Sequence, residues 1–251
     1  MSSTRVASKG AIVARQARFD LRLLLRNGEQ FLLTILIPVL LLIGLGRTSL
    51  VSIGDTEAAR IDVVVPGILA LAVMSTAFAS LAITTGFDRR SGVLKFLGAT
   101  PLQRSGLVWS RVGAVMAMVV VQMAVLLPLA FALGWDPAGS LMAALLLVVL
   151  GVAAFGTLAV ALAGVLRAEA TLAAANGIYL LLLLGGGVVI PLSVLPDPLA
   201  TVAAALPSGA LGEGLRSVLL DGAGIPLASV AVLLLWTALG ALVAARTFRW
   251  E

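Results

Sequence analysis

The stretch DRRSGVLKFLGATPLQR, Asp88 to Arg104, decides how the rest of the chain is read. It lies between two long uncharged apolar runs and carries Arg89, Arg90, Lys95 and Arg104 against one acid, Asp88. A basic island between two membrane-length runs marks a short cytoplasmic loop. Its internal chemistry predicts a short amphipathic helix, with Asp88 as its cap, Val93, Leu94 and Leu97 on one face, and Gly98 as its stop. Thr100-Pro101 then reads as an N-cap with proline at N1, opening the next helix. Such an element, charged on one side and ridged with apolar side chains on the other, can dock onto a cytoplasmic partner.

The apolar flanks extend through most of the chain. Of 251 residues, 61% are hydrophobic and 12% charged, whereas a soluble domain is about 45–50% apolar and about 25% charged. The chain therefore reads as an all-α integral membrane protein with little soluble mass. The sequence has no cysteine and no histidine. Disulfides, thiolate metal sites and the commonest general base are thus excluded. The net charge of +5 does not indicate nucleic acid, because the basic residues sit beside the apolar runs.

Upstream, residues 1–29 are expected to hold a basic amphipathic helix lying in the cytoplasmic interface, with no cleavable signal. Arg15, Arg18, Arg22 and Arg26 form one basic stripe, and Val13, Ala17, Leu21 and Leu24 lie opposite. The first span covers about 30–46. It is short against the ~20 residues a bilayer core asks for, and Pro38 interrupts it. A second follows over 63–87.

Downstream, a third span is expected over 106–135, with Gln122 inside it and Arg111 near its cytoplasmic end. For Gln122, an interhelical hydrogen bond is weighed against a substrate contact. Asp136-Pro137 repeats the cap-then-proline signature, so a fourth span is placed over 137–166. A fifth, over 170–190, carries Asn176, Tyr179, Leu182 and the run Gly185-Gly186-Gly187. The segment 197–220 is punctuated by proline and glycine and carries Asp197, Glu213 and Arg216. It cannot be one spanning helix, so two short helices dipping into the outer leaflet are expected, with Glu213 and Arg216 as i, i+3 partners. The sixth span covers 225–245.

With both termini inside, 14 lysines and arginines fall on cytoplasmic segments and 3 outside. The positive-inside tendency favours that orientation.

The chemical inventory is thin. The spans hold no intramembrane acid–base relay of the kind ion-coupled carriers use. There is no GxxxxGK[ST] loop, so the chain carries no nucleotide site of its own. Without histidine, cysteine or paired membrane carboxylates, an intramembrane enzyme is disfavoured. A transporter with neither ion relay nor nucleotide site needs an engine on another chain. A membrane assembly or scaffold protein without transport activity is the alternative.

Asp88, Arg89, Gly92, Leu94, Leu97, Thr100 and Pro101 resemble the first cytoplasmic loop of ATP-binding-cassette type-2 (ABC-2) permeases, which has an acidic-Arg-acidic start, x-G-T-L-E, an apolar turn and T-P. Arg90, Val93 and Lys95 depart from that pattern; Arg90 and Lys95 replace acids by bases, so a salt bridge made by those acids in relatives has no counterpart here. LPSGALGEGLRSVL, Leu206 to Leu219, is similar to the family's re-entrant stretch, with Pro207, Glu213 and Arg216 inside it. The look is that of daunorubicin-resistance-type exporters of actinobacteria. The resemblance implies a permease in the bacterial cytoplasmic membrane, paired with a second permease, identical or homologous. Two separate ATPase subunits would hold the ATP and magnesium, and this chain no cofactor. A hydrophobic drug, lipid or glycolipid-like substrate is implied. Residues 1–29, with Arg15, Arg18, Arg22 and Arg26, would be the connecting helix that precedes the first span, and Asp88, Arg89, Gly92, Val93, Leu94, Leu97, Thr100 and Pro101 would couple to the ATPase. Pro38, Leu41, Gln122, Asn176, Tyr179, Leu182 and Gly186 would line a pathway or the dimer interface.

Overall fold

A computed structural model describes residues 8–47, 57–100, 102–188, 192 and 195–247. Among these the chain is helical, with no strand. The helices are α1 (Lys9–Arg26), α2 (Gly28–Arg47), α3 (Glu57–Met74), α4 (Leu81–Arg90), α5 (Val93–Gly98), α6 (Arg104–Ala132), α7 (Leu141–Val165), α8 (Ala168–Gly185), α9 (Asp197–Ala205), α10 (Pro207–Leu219) and α11 (Leu227–Thr247). A π-helical segment, Ser75–Ser80, joins α3 to α4, so that Arg60–Arg90 forms one helix of 31 residues. This helix and α6, α7, α8 and α11 are each long and apolar enough to cross a membrane. α1 and α2, which meet at a bend of 69°, make a sixth candidate when the bent pair is taken as one broken span.

The central element is the helix Arg60–Arg90, whose most apolar window is 72% buried. Its apolar residues point all round, as expected for a helix surrounded by others. α8 and α11 are peripheral, with only 22% of their windows buried. The bundle has one basic end, formed by α1, the α4–α5–α6 turn, the α7–α8 turn and the end of α11. The other connections lie at the opposite end.

α1 packs along α6 through the face predicted for it. Val13 lies against Gly106 and Ala17 against Gly113, while Arg15, Arg18, Arg22 and Arg26 are exposed. At 20 residues α2 is about 30 Å long and is not short. Nor does Pro38 break it, because α2 runs through the proline, which is buried against neighbouring helices. The third span opens at Arg104, with Gln103 as N-cap, rather than at Thr100. Thr100 instead bridges the turn: its hydroxyl donates to the Leu97 carbonyl at 2.6 Å and accepts from the Leu102 amide at 3.3 Å. Pro101 lies outside the described residues. Asp136-Pro137 does not open the fourth span either. α7 begins at Leu141, capped by the Ser140 hydroxyl, which accepts from the Ala143 amide. The Asp136 amide is taken by the Asp62 carboxylate, so Asp136 closes a turn rather than a helix.

α9 and α10 form a hairpin that does not cross. They have 9 and 13 residues, about 14 and 20 Å at 1.5 Å per residue, against a hydrocarbon core of ~30 Å. The Trp236 indole donates to the Ala205 carbonyl at 2.9 Å. This places the hairpin tip nine residues along α11 from its start, about 14 Å deep. The other end of α10 is held at the α6–α7 turn, where the Ala138 amide donates to the Leu219 carbonyl. Gly209 makes the hairpin close: a side chain there would collide with the Ala203 carbonyl, 2.0 Å from where its Cβ would stand.

Candidate functional site

Three helices converge at the basic end on one buried arginine. Arg111 lies two turns into α6 and is 5% exposed. Its Nη2 is 2.6 Å from Asp88 Oδ2, in the last turns of α4. Its Nε is 3.6 Å from Asp20 Oδ2, on α1. The Gln16 amide donates to Asp20 Oδ1 at 2.9 Å, one turn back on the same helix. α1, α4 and α6 are thereby tied through a single guanidinium, and none of the three charges stands alone in the interior. Burial raises the Asp20 carboxyl above the ordinary carboxylate range, and the like charge of Asp88 adds to this; Arg111 and Gln16 pull the other way without overcoming it. A half-open cavity of about 150 Å³ lies beside the three charges, walled also by Phe31, Thr34, Thr84 and Met118.

This geometry replaces the capping role expected of Asp88. The second span does not stop before Asp88 but runs to Arg90, so the carboxylate points back to Arg111 from within α4. The N-cap of α5 is Gly92, at a positive φ of 79° that a residue with a Cβ adopts only under strain. α5 does end at Gly98 as expected.

Arg89 binds the end of a neighbouring helix. Its Nη1 donates to the carbonyls of Ala163, Gly164 and Leu166 at 3.4, 3.2 and 3.1 Å. These are among the carbonyls that the C-terminus of α7 leaves without amide donors, and a cation there also opposes the helix dipole. Arg90, the base standing where relatives have an acid, reaches Glu169 at the start of α8 at 2.5 Å. Both partners are more than 60% exposed, so this pair contributes little.

The apolar ridge of α5 is split. Leu94 is fully buried in the bundle and Leu97 partly so. Val93 is 40% exposed and Phe96 78%. In a six-residue helix lying on the bundle, residues 94 and 97 fall inward and 93 and 96 outward. Leu94 therefore anchors the helix, and Phe96 is the side chain it presents.

The residues expected at a pathway or interface fall in two groups, one on α2 and α6 and one at α8. Gln122 is buried and makes the interhelical bonds weighed for it: its amide donates to the Thr34 carbonyl of α2 at 2.8 Å and its carbonyl accepts from the Thr76 hydroxyl at 3.0 Å. Pro38 is buried and Leu41 partly buried. On α8, Asn176 is exposed, Tyr179 half-buried and Leu182 buried. Gly186 follows α8, packed against Ser208. Leu182 thus faces its own chain, and the open face of α8 carries Leu181 and Leu184.

Within the hairpin, Arg216 approaches Glu213 at 3.6 Å, the expected pair. Its main role is different: Nη1 and Nη2 donate to the carbonyls of Gly187 and Val188 at 2.6 and 2.5 Å, just past the end of α8. The hairpin is pinned to the chain that leaves α8.

Asp20 and Phe96 were not singled out in the sequence, and Arg111 was placed only as a charge near the cytoplasmic end of its span. A signal for Asp20 existed, since it is an acid on the apolar side of α1, between Ala17 and Leu24.

A bundle of membrane-length helices, with an interfacial helix at one end and a half-depth hairpin at the other, defines a polytopic all-α membrane protein. Residues 52–246 match the family described as ABC-2 family transporter protein, and the chain belongs to that family. It is therefore a transmembrane component of an ABC transporter. Among curated proteins none matches the chain.

Proposed function

We propose that this chain is the permease subunit of an exporter whose ATP is hydrolysed on two separate ATPase subunits, with a second permease, identical or homologous, completing the membrane unit. The basic end faces the cytoplasm of a bacterial cell, and the substrate is a hydrophobic drug, lipid or glycolipid-like molecule. The charge split, 14 against 3, supports the orientation.

The single observation that carries the coupling reading is the joint at Arg111. α5 projects Phe96 and Val93, while Leu94 seats it in the bundle. The joint fixes α4, on one side of α5, to α6, on the other, and to α1. An ATPase holding Phe96 in a groove would move α5, α4, α6 and α1 together rather than bend a loose turn. Interfaces of this kind depend on a few apolar anchors, each worth on the order of 2 kcal/mol or more.

The test is co-purification with the ATPase followed by a hydrolysis assay in liposomes. Phe96→Asp is expected to weaken ATPase association at least tenfold or to abolish substrate-stimulated hydrolysis, with expression and monodispersity unchanged. Unaltered pull-down and stimulation in that variant would remove α5 as the docking element. If the native chain retains no ATPase and moves no substrate, it is a scaffold.

A further inference from the structure

We infer that this chain carries a binding groove for one anionic phospholipid, formed by α7, α8 and α11 between the hairpin tip and the basic end. The groove is a lateral apolar cavity of about 490 Å³, walled by Phe78, Leu162, Leu182, Pro207, Trp236 and Val243. Trp236 to Val243 covers seven residues of α11, about 10 Å. One leaflet of hydrocarbon is ~15 Å deep, half of the ~30 Å core. The groove therefore runs from mid-membrane toward the surface over about two thirds of a leaflet, long enough to seat the inner part of an acyl chain.

Charge identifies the occupant. α7 and α11 run side by side in the same direction, in contact where Gly240 meets Thr157 and Leu158. Continuing from that contact, both reach the basic end at similar depth. Leu166 lines the groove and Arg167 follows it directly; Val243 lines it and Arg246 stands one turn further on. Both arginines are exposed, and neither has a carboxylate partner among the described residues. The nearby acid, Glu169, is engaged by Arg90. A groove that is apolar along its length and cationic at its mouth matches a phosphodiester head on an acyl tail. A second copy docked on this face by two-fold symmetry would set arginines against arginines. The hairpin tip, Leu206-Pro207, closes the deep end of the groove, so the occupant also touches the element pinned by Arg216.

The test is native mass spectrometry of the detergent-purified full chain, supplied with equal phosphatidylglycerol and phosphatidylcholine of matched acyl chains. One phosphatidylglycerol per chain is expected to be retained in preference. The double variant Arg167→Gln/Arg246→Gln is expected to lose that preference by on the order of tenfold or more. Ile178→Trp, which fills the groove from a partly exposed position, is expected to displace both lipids, while Leu181→Trp on the open face of α8 leaves retention unchanged. Equal retention of the two lipids by the native chain would overturn the proposal. So would undiminished preference in the double variant, or a crosslink from Ile178→Cys to a second copy. The result does not depend on whether an ATPase binds, so it stands or falls apart from the export reading.

Discussion

At the residue scale, Arg111 has most to lose. Replacing it with alanine leaves Asp20 and Asp88 facing one another without a cation, and breaking a buried ion pair from one side costs about 3–5 kcal/mol. Arg111→Ala is therefore expected to lower thermal stability sharply in detergent, by fluorescence-detected chromatography. Asp20→Asn should behave in the opposite sense. The Asp20 carboxyl is raised, so its protonated form fits the fold better than its ionised form. Its contribution is complete at pH below the ordinary carboxylate value and is lost as pH rises through its own, higher one. Native protein should thus gain stability relative to Asp20→Asn as pH falls from neutral, and parallel stability curves for the two would contradict the assignment. Little of this could be read in the sequence. A periodicity count sees Asp20 as one acid in a basic helix and Arg111 as a flanking charge. Only the packing of α1 along α6 turns them toward each other. Gln122 was legible in kind, because an amide at membrane depth must find partners, but not in its choice of Thr34 and Thr76.

Among the elements, α5 separates Val93 from Leu94, which the linear pattern puts on one face, and turns Phe96 outward. Leu94→Asp buries a charge in the bundle and is expected to abolish stable insertion, whereas Phe96→Asp should leave stability within about 0.5 kcal/mol. A Phe96→Asp protein that aggregates as Leu94→Asp does would mean that Phe96 is not the outward side of this helix. The hairpin offers a second test. Arg216→Met removes the donors for the Gly187 and Val188 carbonyls, at a cost of about 1–3 kcal/mol. Limited proteolysis between α8 and α9 should then accelerate, and an unchanged digestion pattern would dismiss the pinning role. The hairpin's existence and its two helices were legible from proline and glycine spacing, because such backbone cannot span a bilayer. Its depth was not, since that is set by the Trp236–Ala205 contact between segments 31 residues apart. The helix starts placed at Thr100 and Asp136 failed in related ways. Both residues have the right side chain for a cap, but hydrogen bonds hold them outside a helix: local ones to Leu97 and Leu102 for Thr100, and a tertiary one from the backbone amide to Asp62 for Asp136.

For the whole molecule, the expected orientation can be checked with introduced thiols, since the chain has no cysteine of its own. Ser91→Cys at the basic end should be shielded from an impermeant reagent in intact cells, and Ala223→Cys at the opposite end should react. The reverse pattern would invert the topology. The five membrane-length helices were legible because apolar length is a one-dimensional property, but their azimuths were not. Those azimuths depend on Ser75–Ser80, where the central helix carries one more residue per turn than an α-helix does. That surplus sets the phase between the two halves of the helix. Deleting Ala79 would let the segment relax to regular α-helix with both halves still facing their present neighbours, at the loss of the local Ser and Thr bonds. Deleting Ala70, in the regular part, would swing everything beyond it by about 100°, carrying Asp88 away from Arg111 and Arg89 off the end of α7. The two single-residue deletions, nine positions apart on one helix, should therefore differ as a mild loss of stability differs from failure to fold.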